Sequence, residues 1–158
     1  MKFSFRLFLI ILCTFSQHSI ALAQDQKKAI FDLSDHEFTE DEFARISGEW
    51  EFYYDHLLTP GEFDDQLPTD YIYVPGSWGR QGDYDILGNA TYRCTTILPS
   101  GHPSLILHIG MINSSSRIWV NGTEQPGTGK VATSKDEYQP QLNNINISLP
   151  NDSDTIEI

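Results

Sequence analysis

The chain has 158 residues, a net charge of −12 and 12% aromatic side chains. Acidity of this order argues against a nucleic-acid partner, whose phosphates call for a basic surface. The supply of Trp, Tyr, Phe and β-branched residues is enough to fill a core, which argues against a disordered chain.

The chain opens with the three parts of an export signal: Lys2 and Arg6, the apolar run Leu7 to Phe15, and the small-residue site Ala21-Leu22-Ala23. Cleavage is expected before Gln24. The apolar run falls short of the roughly 20 residues needed to cross a bilayer, and no later stretch approaches that length. Residues 1–23 are therefore read as a signal peptide and the product as periplasmic or extracellular. Removing Lys2 and Arg6 with the signal takes the net charge to −14. Cys13 leaves as well, so Cys94 has no internal disulfide partner and is expected to be a small buried side chain.

Residues 24–45 form an entry segment, with an edge strand expected over Ile30 to Leu33 and a short helical turn over Thr39 to Arg45. From Ile46 the period changes to two. Ile46, Gly48, Trp50, Phe52 and Tyr54 share one face, and Ser47, Glu49, Glu51 and Tyr53 share the other, as in a half-buried strand. Asp55 to Leu58 suggests one helical turn before Thr59-Pro60-Gly61. Tyr71 to Val74 is a second strand, closed by Pro75-Gly76. The Gly- and Asp-rich stretch 76–90 reads as a long loop carrying Trp78, Arg80 and Tyr84.

Thr91 to Ile97 reads as a strand with Tyr92, Cys94 and Thr96 on one face and Arg93 on the other. Ser104 to Ile109 and Ser116 to Val120 follow, the latter meeting Asn121-Gly122, a strong hairpin signal. Pro126 to Tyr138 reads as a second loop. Alternation returns at Ile145, Ile147 and Leu149, and a last strand begins at Thr155. Short strands at intervals of about 8–12 residues describe an all-β sandwich or barrel, with one domain over 46–158.

Five motifs occur in order: Gly48-Glu49-Trp50-Glu51-Phe52-Tyr53, Val74-Pro75-Gly76-Ser77-Trp78, Gly88 to Arg93, Ile118-Trp119-Val120-Asn121-Gly122 and Tyr138-Gln139-Pro140. The series resembles the galactose-binding-like jelly roll. Two branches share it: the sugar-binding domain of family 2 glycoside hydrolases, and the extracellular domain of bacterial seven-transmembrane receptors with diverse intracellular signalling modules. Gly129 to Tyr138 and Ile30 to Leu33 look more like the receptors. That resemblance implies a galactose-binding-like jelly-roll β-sandwich that senses a carbohydrate or small polar ligand. In the receptors such a domain stands ahead of seven membrane helices and a histidine kinase, adenylate cyclase or diguanylate cyclase. Those parts are not in the chain, which leaves a receptor fragment and a free-standing exported domain as alternatives. The other branch implies a carbohydrate-binding accessory module of a glycoside hydrolase.

Catalysis requires a positioned constellation. His36, His56, His102 and His108 lack metal-ligand spacing, so no metal and no cofactor is expected. Ser114 to Ser116 and Ser134 lack a nucleophile elbow. Asp64-Asp65, Asp83-Asp85 and Asp136-Glu137 are read as solvated surface in preference to a glycosidase acid and base. No enzyme activity is expected. Aromatic faces and hydrogen-bonding side chains on loops over a rigid sandwich suit a sugar or small polar ligand better, and Trp78, Arg93, Arg117, Trp119 and Tyr138 are the candidates. Packing against a sheet is the competing reading for Trp78 and Trp119.

Overall fold

The computed structural model describes residues 28–40 and 42–158. The expected signal peptide over 1–23 and its cleavage site lie outside them. The described chain is all-β: ten strands in four small sheets, with a single 3-10 turn at Trp78–Arg80 and no helix long and apolar enough to cross a membrane.

The first sheet has the order β1-β5-β10, from Ile30–Asp32, Thr95–Ile97 and Thr155–Glu157. β1 runs parallel to β5, and β10 runs antiparallel to it. The second sheet is antiparallel, β3-β2-β4, from Asp70–Val74, Gly48–Tyr54 and Ala90–Arg93. Two antiparallel two-stranded pairs complete the fold: β6 (Ile106–Ile109) with β9 (Ile145–Ser148), and the hairpin of β7 (Ser116–Val120) with β8 (Thr123–Thr128).

The expected strand Thr91 to Ile97 is one extended run that changes partners at Cys94. Before Cys94 it pairs with β2; after it, with β1 and β10. Cys94 itself exchanges two 3.0 Å backbone hydrogen bonds with Ile158. The first and second sheets therefore share one continuous backbone.

The main core gathers Leu98, Ile118, Val120, Ile145, Ile147 and Ile156, the inward positions of β7, β9 and β10 together with the residue after β5. Alternation selects them: Ile145 and Ile147 are buried while Asn146 and Ser148 are exposed. A second cluster joins Ala29, Phe31 and Cys94 to Trp50 and Tyr71. Cys94, 1% exposed, is the small buried side chain expected from the sequence.

Three local expectations differ from the structure. Asp55 to Leu58 contains no helical turn, whereas Thr39 to Arg45 holds one i→i+3 bond, from the Glu42 N–H to the Thr39 carbonyl at 3.3 Å. Asp55 instead takes φ +60°, and its N–H bonds to the Asn89 carbonyl, which carries the chain out of β2 into a long connection. The segment read as a loop from Pro126 begins as the end of β8. A bulge admits it: Ser116 pairs with Thr128 but Ile118 pairs with Gln125, so β8 carries one extra residue between them. Gly127 fits there because a Cβ would lie 2.0 Å from the Ser116 carbonyl oxygen. The third difference is Tyr53, expected on the open face of β2 but only 2% exposed. The connection 55–69 crosses that face and sets Phe63 edge-on to Tyr53, with centroids 5.2 Å apart.

Candidate functional site

The second sheet is covered on both faces, and the two covers differ in chemistry. On one face, the register that places Phe52 opposite Tyr92 sets two aromatic rings side by side, 5.3 Å apart. Loop 76–89 lays Trp78 and Tyr84 over them. Trp78 lies 6.1 Å from Phe52 and 6.4 Å from Tyr92, and Tyr84 meets Phe52 edge-on at 5.1 Å and Tyr54 at 5.0 Å. Phe52 is wholly buried beneath, while Tyr54, Trp78, Tyr84 and Tyr92 are each partly exposed.

Hydrogen bonds fix this layer. Trp78 Nε1–H donates to the Asp85 carbonyl at 2.8 Å, the Asp85 N–H donates to the Tyr54 hydroxyl at 3.2 Å, and the Tyr84 hydroxyl donates to Asp70 Oδ2 at 3.1 Å. The Gln81 side-chain amide bonds both backbone groups of Tyr73, accepting from its N–H at 2.6 Å and donating to its carbonyl at 2.9 Å. The loop is thereby stitched to the outer edge of β3. Burial holds the Tyr92 hydroxyl proton up to about pH 12, and burial with the Asp70 carboxylate raises Tyr84 as well. Both phenols stay neutral and able to donate at physiological pH.

The other face is ionic. Arg93, across the strand pair from Glu51, lies between Glu51 and Glu157, with Nη1 3.6 Å from Glu51 Oε2 and Nη2 bonded to Glu157 Oε2. Its guanidinium stands over the Phe63 ring at 4.8 Å. Burial opposes its charge, but the two carboxylates outweigh burial and raise its pKa. The Tyr53 hydroxyl donates to Glu51 at 2.8 Å, and burial followed by that carboxylate pushes it up to about 12. Arg93 was expected on a non-core face, and it does point away from Tyr92, but it is half-buried and its charge is already neutralised.

Arg117 and Trp119 lie next to each other on β7. The Arg117 guanidinium stacks 4.7 Å from the Trp119 ring and forks onto Glu124 through bonds of 2.9 and 3.1 Å. These two candidates share one exposed patch on the β7/β8 hairpin. Tyr138 stands in the loop beyond β8, 3.2 Å from the Ser114 hydroxyl. The five candidates thus occupy four places, and only Arg117 and Trp119 touch. Of the companions of Trp78, Phe52, Tyr54 and Tyr92 carry a signal in the period-two pattern of β2 and β4, which puts them on the same face, whereas Tyr84 lies in the loop outside both strands.

Among the described residues, no three His, Cys, Asp or Glu side chains are grouped to hold a metal ion. Two open concavities lie elsewhere. One of about 510 Å³ is bordered by Asn121, Gln125 and Asp152, and one of about 340 Å³ by His36 and His102. Neither is lined by the aromatic layer. In comparison with known proteins, no family model, no curated protein and no solved structure matches this chain.

Proposed function

We propose that this chain is an exported, galactose-binding-like jelly roll that acts as the ligand-sensing domain of a bacterial signalling receptor, binding a carbohydrate or small polar ligand on its Trp78 face. The observation that carries the reading is the fixed, partly exposed aromatic layer of Trp78, Tyr84 and Tyr54. A sugar ring presents one apolar face and a rim of hydroxyls. Stacking on Trp78 would cover the first, while the Tyr54 and Tyr84 hydroxyls and the Asp70 carboxylate stand at the edge to meet the second. Because loop hydrogen bonds already hold these side chains, little ordering entropy opposes binding.

Sensing would follow from a difference in affinity between two arrangements of the domain. The stretches Gly129 to Tyr138 and Ile30 to Leu33, which look more like the receptors, support the receptor reading over a glycosidase accessory module. The test is calorimetric titration of the purified protein with neutral, amino and acidic saccharides, alongside the Trp78→Ala variant. Binding that Trp78→Ala weakens at least tenfold supports the reading. No heat with any saccharide class, or binding unchanged by Trp78→Ala, overturns it.

A further inference from the structure

We propose that His36 and His102 form a binding site for a divalent transition-metal ion such as Zn²⁺ or Cu²⁺, at the end of the first sheet where β1 and β5 run out. The site stands apart from the Trp78 face and does not depend on the function assigned to it. β1 and β5 are parallel, so both strands leave the sheet at the same end. Each is followed by a tight turn that closes on a histidine. The His36 N–H donates to the Leu33 carbonyl at 2.9 Å, and the His102 N–H donates to the Pro99 carbonyl at 3.2 Å. Both histidines border the concavity of about 340 Å³. Far apart in sequence, they share it because their strands are neighbours.

Both turns are held by bonds of their own. Asp32 accepts from the Ser34 N–H at 3.0 Å and from its hydroxyl at 2.6 Å. Gly101 takes φ +70°, the left-handed conformation needed at the third position of a type II turn, and the Ser100 hydroxyl bonds the Asp154 carboxylate. Phe38, packed on the main core, stands edge-on to the His36 ring with centroids 4.5 Å apart. The two imidazoles are therefore placed before any ion arrives.

The ring nitrogens supply the chemistry. His102 Nδ1 lies 2.8 Å from the Pro103 carbonyl, which can only accept, so Nδ1 carries the proton and the neutral ring keeps its lone pair on Nε2. A metal-ligating histidine is oriented in the same way, with its other N–H given to a backbone carbonyl. Among the described residues, the Nε2 atoms of His102 and His36 are both shut off from solvent, and neither has a hydrogen-bond partner. Buried polar atoms without a partner are rare, and an ion is one of the few things that satisfies them. Two such nitrogens on residues that border one concavity point to a shared electron-pair acceptor, and imidazole suits Zn²⁺, Cu²⁺ or Ni²⁺. Glu37 borders the same concavity and no Lys or Arg does, in a chain whose net charge of −12 favours cations. No third His, Cys, Asp or Glu is grouped with the pair among the described residues, so water completes the coordination shell.

The test is calorimetric titration of the purified, untagged and chelator-treated protein with the chlorides of Zn²⁺, Cu²⁺, Ca²⁺ and Mg²⁺. One equivalent of Zn²⁺ or Cu²⁺ should bind, while Ca²⁺ and Mg²⁺, which take oxygen ligands, should not. His36→Gln and His102→Gln should each weaken Zn²⁺ binding at least tenfold, and His56→Gln and His108→Gln should leave it unchanged. Bound Zn²⁺ ties the end of β1 to the end of β5, so it should raise the unfolding temperature of the unmodified protein and leave that of His36→Gln and His102→Gln where it was. If those two variants do not fold, the electron paramagnetic resonance spectrum of the Cu²⁺ complex decides, by showing or lacking splitting from two imidazole nitrogens. Absence of Zn²⁺ and Cu²⁺ binding, Zn²⁺ binding unchanged by His36→Gln or by His102→Gln, or equal binding of Ca²⁺ overturns the proposal.

Discussion

The side chain of Asn121 pairs with Glu157 as a strand would. Its backbone N–H donates to the Glu157 carbonyl at 3.0 Å, its Oδ1 accepts from the Glu157 N–H at 2.7 Å, and its Nδ2 reaches the Thr155 carbonyl at 3.0 Å. The Asn-Gly turn was legible as a hairpin signal, and Asn121 does take φ +46°. Its second job, sealing the edge of β10, was not legible. The two roles separate by substitution. Asn121→Gly keeps the turn and loses the amide, so urea unfolding should show a loss of about 1–2 kcal/mol. Asn121→Ala adds the strain of a left-handed backbone, about 1 kcal/mol more.

Arg93 holds two carboxylates together on the ionic face of the second sheet. Arg93→Met leaves Glu51 and Glu157 facing each other across a half-buried site and should cost about 2–3 kcal/mol. Adding Glu157→Gln removes part of that repulsion. The double variant should therefore be more stable than the sum of the two single losses, a coupling readable in a double-mutant cycle.

Tyr53 and Tyr92 make stability depend on alkaline pH. Each phenol is held up to about 12 in the folded protein against 10.0 in the open chain. Both prefer to stay protonated when folded, so their contribution is complete below pH 10 and lost as the pH rises through 12. The loss is on the order of 2 kcal/mol for each. Absorbance at the phenolate band should show these two of the seven tyrosines ionising late or only with unfolding. Tyr53→Phe and Tyr92→Phe should each flatten the stability profile between pH 10 and 12.

Cys94 should be inert to thiol reagents. It is 1% exposed, and burial drives its thiol far above the ordinary range, so little thiolate is present to react. Modification by a disulfide reagent should follow the opening of the fold and speed up with urea. A rapid reaction in the folded protein at neutral pH would contradict the burial of this residue between the two sheets.

The strands were legible where one face is apolar and the other polar. Ile145 and Ile147 alternating with Asn146 and Ser148 fixed both the element and its inward side, as did Ile118 and Val120 on β7. Legibility failed where a connection crosses the outward face. Tyr53 and Glu51 look like the solvent side of a strand until Phe63 arrives from a connection with no periodic signature of its own. Pro126 to Tyr138 read as a loop, and the strand runs on to Thr128 because the bulge between Ser116 and Ile118 admits Pro126 and Gly127. Of the candidate binding residues, residue type found Trp78, but its partners depend on the register of Phe52 against Tyr92. Arg93 and Arg117 satisfied the same compositional rule, yet the carboxylates that neutralise them come from Glu157, 64 residues away in sequence, and from Glu124 across a turn.

The run from Ala90 to Ile97 carries a mechanical consequence. Its first half is a rung of the sheet that bears the aromatic layer, and its second half is the middle strand between β1 and β10. A tilt of the second sheet, from a ligand wedged against Trp78, would be handed on through covalent backbone and would not depend on sliding contacts between packed side chains. The shared strand works as a beam fixed in two walls: load on one wall bends the other, and β10 lies along the far wall.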